Sequence, residues 1–319
     1  LKIKQKLNNI VFNFSFLGGY KMRIANCKSG ERTFIGLEYE GKMLNFSKAL
    51  IMYSALYENS IKNFHNIDEL LYMDNLYSYI EKILNFILEH EFSYFLTEES
   101  FTFLPPILRP QKILALGKNY VEHAKELGDE APKEPIFFCK SSSALIGHED
   151  FIVYPSFLTR VDPEVELGVI IKKRGKYIKE EDAYHYILGY TVVNDVTARD
   201  MQTEDFKKTN PWFRSKSFDT FCPVGPYLVL KEDIKDPHNL NIELRVDGEV
   251  RQKNNTKNML FKIPQIISYI SKHLTLEAGD IIATGTPSGI APIYPENTVE
   301  CIVENVGTLR NKVIKENSL

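Results

Sequence analysis

Along this chain the apolar residues change period, and each change marks a different kind of element. Between residues 22 and 45 they come in short runs, Arg23-Ile-Ala-Asn-Cys and Thr33-Phe-Ile-Gly-Leu-Glu-Tyr-Glu. Ser29-Gly30 and Glu40-Gly41 punctuate them, the pattern of strands joined by tight turns. From residue 46 to 98 the repeat lengthens to three and four, through Leu76, Ile80, Ile83-Leu84 and Ile87-Leu88, which predicts helices. Leu104-Pro-Pro-Ile-Leu-Arg-Pro is a stiff connector and the best candidate for a domain boundary. Beyond it the chain reads mainly as strands. Lys112-Ile-Leu-Ala-Leu and Pro135-Ile-Phe-Phe-Cys are apolar runs, residues 240–251 form a hairpin around Asp247-Gly248, and residues 299–313 are closing strands. Short helices are expected over residues 120–127 and 180–186, and a longer one within 259–273. The expectation is an α+β chain, mostly β, in three parts: an extension over residues 1–21, a small α/β domain over 22–104, and a larger β-rich domain over 105–319.

One strand stands apart. In Asp162-Pro-Glu-Val-Glu-Leu-Gly-Val, the residues Val165, Leu167 and Val169 fall on one side and Glu164 and Glu166 on the other. Two carboxylates placed at i and i+2 lie about 7 Å apart along the strand and repel in any dry site unless a cation sits between them. Asp195 follows a second apolar run, Tyr190 to Val193, able to lie beside the first. Three carboxylates without a neighbouring His or Cys suit a hard divalent cation, Mg²⁺ or Mn²⁺, over Zn²⁺. The plain alternatives are an exposed strand face for the two glutamates and a helix N-cap for Asp195.

Other candidates are weaker one at a time. His123 and Glu126 stand three apart on a short helix, within reach of each other, so the carboxylate orients the imidazole as a general base requires; surface His-Glu pairs are common too. Lys140, opening the polar loop Lys140-Ser-Ser-Ser, is placed to hold an anion or to solvate a turn. Arg199 suits a two-pronged clamp on a carboxylate, or a surface ion pair. Lys216 lies in an aromatic segment with the single Trp, where a lysine is partly desolvated; most lysines are simply exposed. Gly285 and Thr286, in a Gly/Thr loop ending a buried strand, are candidates to touch a ligand; the loop lacks the Lys of a phosphate-binding P-loop.

Composition narrows the classes. A net charge of −3 over 319 residues, with scattered Lys and Arg, argues against nucleic acid as a partner. Four separated cysteines form no metal or disulfide spacing, which makes a reducing cytoplasm the default location and burial as small apolar residues their expected role. No run is long and apolar enough for a membrane helix. Residues 1–21 carry Lys2, Lys4 and Lys6 before an interrupted apolar run and lack a cleavage pattern, which leaves Met22 as a plausible functional start.

Six segments together carry more than any one of them: Gly117-Lys-Asn-Tyr with His123 and Glu126, Lys140-Ser-Ser, Glu164-Val-Glu-Leu, Asp195-Val-Thr-Ala-Arg-Asp-Met-Gln, Lys216-Ser-Phe-Asp and Thr284-Gly-Thr-Pro-Ser-Gly. In this order they resemble the fumarylacetoacetate hydrolase family over residues 109–313. The resemblance implies a mixed β-sandwich roll, usually a homodimer, preceded by a smaller N-terminal domain. It implies Mg²⁺ or Mn²⁺ (Ca²⁺ as a substitute in crystals) on Glu164, Glu166 and Asp195, catalysis by His123, Glu126 and Lys216, and substrate contacts from Lys140, Arg199, Gln202, Gly285 and Thr286. It also implies that the helix bearing His123 acts as a lid. The expected substrate is a small 2-oxo acid, with no nucleic-acid or membrane partner. Metal-dependent hydrolysis of a C–C bond in an acylpyruvate comes first. Dienedioate isomerisation and oxaloacetate decarboxylation run through the same enolate, and a catalytically silent oxo-acid-binding protein is the alternative of another class.

Overall fold

The computed structural model describes residues 21–316 apart from 59, 98, 99, 127 and 129; the extension expected over residues 1–21 lies almost wholly outside them. Two sheets and a set of helices form three layers. The middle layer is a mixed sheet of eleven strands. Nine of them run in the order Lys42–Asn45, Arg32–Tyr39, Arg23–Ser29, Cys222–Leu230, Ile187–Asn194, Val165–Ile171, Ile281–Ala283, Ile113–Gly117 and Ile136–Lys140, while Thr102–Leu104 pairs with Arg23–Ser29 and Leu145–Ile146 with Cys222–Leu230. A second sheet of five strands runs Glu249–Asn255, Asn241–Val246, Thr298–Val303, Gly307–Lys315 and Phe151–Tyr154.

The second sheet packs on the three central strands of the first. Leu167, Val169, Tyr190, Val192 and Val229 meet Leu244, Cys301, Val303 and Val313 in that interface. The opposite face of the middle sheet, with Ile170, Leu188, Val193, Leu228 and Ile281, is covered by the helices Phe46–Tyr57 and Leu76–Glu89 through Leu50, Ile80, Ile83 and Ile87. With both faces covered, a central strand has no polar side to show, and this is why Ile187-Leu-Gly-Tyr-Thr-Val-Val reads as one apolar run. The segment before residue 104 joins the same sheet, since Arg23 and Ile24 pair with Val229 and Leu228.

Most local expectations have a counterpart. The hairpin turns at Asp247 and Gly248, both with positive φ (50° and 83°), as a two-residue turn between twisted strands requires. Residues 180–186 form a 3₁₀ helix and Ile263–His273 an α-helix. The short helix expected over 120–127 runs Val121–Glu126, and residue 127 lies outside the described residues. One expectation is corrected: Cys139 is exposed, because it sits on the edge strand Ile136–Lys140, whereas Cys27, Cys222 and Cys301 are buried.

Candidate active site

Pairing register brings the three carboxylates together. Val165 lies opposite Asn194 and Glu166 opposite Val193, so Asp195 falls across from Glu164, and its N–H donates to the Glu164 carbonyl at 2.9 Å. The carboxylates of Glu164, Glu166 and Asp195 offer oxygens that all lie within 4.8 Å of one another. The residues are 3%, 1% and 1% exposed, which excludes the solvated strand face. Asp195 is not a helix N-cap either. The helix Arg199–Lys207 begins after Ala198, because Thr197–Ala198 first pairs with Val161–Asp162.

Buried carboxylates this close need cations, and the chain supplies three. Lys216 Nζ donates to Glu164 Oε2 at 2.7 Å and to Asp195 Oδ2 at 2.5 Å. Lys140 Nζ donates to the other Asp195 oxygen, and Arg199 Nη2 to the other Glu164 oxygen. Glu166 accepts only the Gly285 N–H, at 2.6 Å, among the described hydrogen bonds. The consequences diverge along one strand. Burial pushes both glutamates up, but Lys216, Arg199 and His123 hold Glu164 well below the usual carboxylate range. Burial together with Asp195 and Glu164 drives Glu166 far above it. Burial would lower Lys216, and Asp195 and Glu164 raise it instead. A set of three buried carboxylate oxygen donors, one of them without its own cation, fits a hard divalent ion.

Glu164 and Lys216 of this cluster open onto a cavity of about 150 Å³, on the scale of a small acid and well short of the 300–1,000 Å³ of larger ligand pockets. His123, Glu164, Arg199, Gln202, Lys216 and Thr286 line it. Phe138 and Trp212, edge to face at 5.7 Å, form its apolar wall. Gly117 is glycine for this wall: a Cβ there would sit 2.6 Å from the Trp212 ring. Gly285, at φ +97° with its N–H on Glu166, holds a turn that a side chain would strain.

His123 is 4% exposed, and its Nδ1 lies 3.2 Å from Glu126. Glu126 also accepts the Gly289 N–H at 3.0 Å, so the short helix is tied to the loop that carries Thr286. Burial pushes the Glu126 carboxyl up, but the His123 contact and the N–H groups of Gly289 and Ile290 hold it below its usual value.

The structure separates the residues expected on the substrate side. Arg199, Gln202 and Thr286 line the cavity; Lys140 and Gly285 do not, their donors being turned onto Asp195 and Glu166. Arg199 is heavily engaged, its Nε on Asp162 at 2.8 Å and its Nη1 on Gln202 at 2.5 Å. Two residues escaped the sequence reading. Asp162, fully buried, takes Arg199 and both prongs of Arg160, at 2.9 and 3.1 Å; its signal was the acidic alternation 162, 164, 166, which extends one step further back. Gln252, fully buried on a strand of the second sheet, bonds the strand of Glu164 and Glu166 and the Thr286 loop at once; a polar residue on a hairpin gives no such signal.

Comparison with known proteins agrees with this architecture. The model of the fumarylacetoacetate (FAA) hydrolase C-terminal domain matches residues 112–314, and the chain belongs to that family. An uncharacterized protein of Pyrococcus abyssi is 54% identical over 212 residues, 66% of this chain and 94% of that protein. The mitochondrial oxaloacetate tautomerase FAHD2A of Bos taurus is 46% identical over 220 residues, 67% of this chain and 69% of that protein. Among solved structures, a fumarylacetoacetate hydrolase from Exiguobacterium antarcticum superposes with a TM-score of 0.75 at 30% identity, covering 92% of this chain and 100% of that one. A 2-hydroxyhepta-2,4-diene-1,7-dioate isomerase from Mycobacterium marinum gives 0.69 at 29% identity, with 93% and 100% covered. The family thus includes hydrolases, isomerases and an oxaloacetate tautomerase. No helix among the described residues is long and apolar enough to cross a membrane.

Proposed function

We propose that this protein is a divalent-metal-dependent enzyme that forms and reprotonates the enolate of a small 2-oxo acid, with keto–enol tautomerisation of the oxaloacetate type as the first reading. The observation that carries it is the meeting of His123, held by Glu126, with a buried ammonium, Lys216, on one cavity that Glu164 of the carboxylate cluster also lines. Glu164, Glu166 and Asp195 would hold the ion, which when bound polarises the oxo-acid oxygens as a Lewis acid.

The charges of the site point the same way. Asp162, Glu164 and Asp195 face Lys140, Arg160, Arg199 and Lys216, while burial and its acidic neighbours favour the neutral form of Glu166. A divalent cation held there would favour the ionised form of Glu166, and a dianionic acid entering with it would offset the ion's charge. Arg199, Gln202 and Thr286 then orient the acid, and Lys216 stabilises negative charge as it develops on the former carbonyl oxygen. His123, held by Glu126, takes the proton from C3 and returns it to oxygen, or the reverse. Phe138 and Trp212 keep water from that wall of the cavity.

Hydrolysis of an acylpyruvate is the second reading, and the His123–Glu126 pair favours it, since the same base can take a proton from water. Decarboxylation and dienedioate isomerisation need only the enolate. A panel of enol-oxaloacetate, acylpyruvates and dienedioates, run with Mg²⁺ in ¹⁸O-labelled water, separates them. Tautomerisation consumes the enol absorbance without incorporating ¹⁸O into a cleaved acid, whereas hydrolysis incorporates one. Rates indifferent to chelation of the metal would sink the proposal.

A further inference from the structure

Gln252 bonds three groups, and their chemistry leaves it one orientation. Its Oε1 accepts the backbone N–H of Val165 at 3.0 Å, between the two glutamates of the acidic site. Its Nε2 donates to the Pro287 carbonyl at 2.6 Å and to Thr286 Oγ1 at 2.9 Å. A backbone N–H only donates and a proline carbonyl only accepts, so the amide is fixed from both ends and cannot flip. Thr286 therefore receives a hydrogen from Gln252 and cannot give its own back. Its hydroxyl makes no other hydrogen bond among the described residues, and the residue, 3% exposed, lines the cavity.

We infer that Gln252 is a positioning residue which biases the Thr286 hydroxyl toward donating into the cavity, so that the site favours an anionic oxygen over a ligand group that offers a hydrogen. The inference deepens the function proposed above and rests on it. A hydroxyl carries one hydrogen and two lone pairs; with one lone pair taken by Gln252 and no acceptor beside it, its hydrogen is left unengaged, and receiving a bond strengthens it as a donor. The carboxylate or enolate oxygen of a 2-oxo acid is such an acceptor. The same amide ties the loop carrying Thr286 to the strand carrying the acidic residues, so the donor and the charges it serves move as one unit.

The test uses the full chain with Mg²⁺ and oxalate, a planar dianion shaped like the enolate of a 2-oxo acid, with binding read by calorimetry and folding by thermal melting. Gln252→Glu keeps the shape and the Val165 bond but presents an acceptor to Thr286, whose hydrogen then turns away from the cavity. Oxalate affinity should fall about tenfold, as for the loss of one charge-assisted hydrogen bond. Gln252→Met removes all three bonds and so destabilises the fold more, yet leaves the hydroxyl free to donate, and should weaken oxalate by about threefold or less. A purely structural role predicts the opposite order. Thr286→Val should match Gln252→Glu, Thr286→Ser should retain binding, and Val added to Gln252→Glu should cost nothing further, a non-additive cycle. Additive losses, or Gln252→Met weaker in binding than Gln252→Glu, would overturn the inference. If Gln252→Glu does not fold, equal oxalate affinity in Thr286→Val and the parent overturns it instead. A parent chain that binds no oxalate with Mg²⁺ removes the metal-site reading and this inference with it.

Discussion

Two groups of charges in this protein share bond lengths and little else. On the outer sheet Glu243 meets Arg245 at 2.6 Å and Lys253 at 3.3 Å, and the side chains of the two cations are 43% and 73% exposed. At the cavity floor Lys216 meets Glu164 at 2.7 Å and Asp195 at 2.5 Å, and no side chain of the three is more than 4% exposed. Water decides the difference. An exposed pair exchanges hydration for a contact of similar worth and contributes up to about 1 kcal/mol, less in salt. In the buried cluster each charge has lost its hydration and is tolerable only beside its partners, so removing one member strands another. Such an arrangement does little for stability. Its use is to hold charges ready for something that enters.

Four experiments sharpen that contrast. Lys216→Met should lower turnover about 1,000-fold, the scale of losing a principal electrostatic stabiliser, while the protein remains folded; turnover within tenfold of the parent would take the lysine out of the chemistry. Glu166→Gln should weaken Mg²⁺ binding about 100-fold. Because burial and its acidic neighbours push the Glu166 carboxyl up, the neutral amide should leave the melting temperature without Mg²⁺ unchanged or higher. A variant that keeps its Mg²⁺ affinity would contradict the ligand assignment. Lys140→Met should cost about 3 kcal/mol in chemical denaturation by leaving Asp195 Oδ1 without its cation in a dry site; a loss under about 1 kcal/mol would place the lysine with the surface pairs.

Glu243→Gln completes the series with the smallest effect, under about 1 kcal/mol and fading in high salt. Its pH dependence has a defined sign. Burial pushes the Glu243 carboxyl up, but the hydrogen bonds and charges of Arg245 and Lys253 together hold it below its ordinary 4.5. The folded chain therefore binds this proton less readily than the unfolded one. The stabilisation is present above 4.5 and lost as pH falls through the lower folded value, so the melting temperatures of parent and variant should converge in acid. A gap that persists there would assign the effect to packing.

How much of this was legible depends on how far a signal reaches along the chain. The spacing of Glu164 and Glu166 shows a shared strand side, and His123 with Glu126 a shared helix side, because both are set by backbone geometry within a few residues. Lys140 illustrates the limit. Its loop context suggested an anion-binding role, but its ammonium reaches Asp195, 55 positions away, which no local pattern encodes. Asp195 looked as much like a helix cap as a ligand until the pairing of Thr197 with Asp162 moved the helix start to Arg199.

From its sequence alone this chain determined its elements, its family resemblance and the kinds of side chain available for chemistry, since periodicity, turn residues and motif order are all local properties. Only the tertiary structure decided that the glutamate strand lies in a middle layer, that its carboxylates are dry, and which cation answers each of them. Those outcomes turn on strand register and on the exclusion of water by a second sheet and a helical layer. Both are collective results of packing distant segments together, and it is the removal of water that turns three ordinary acids into a site.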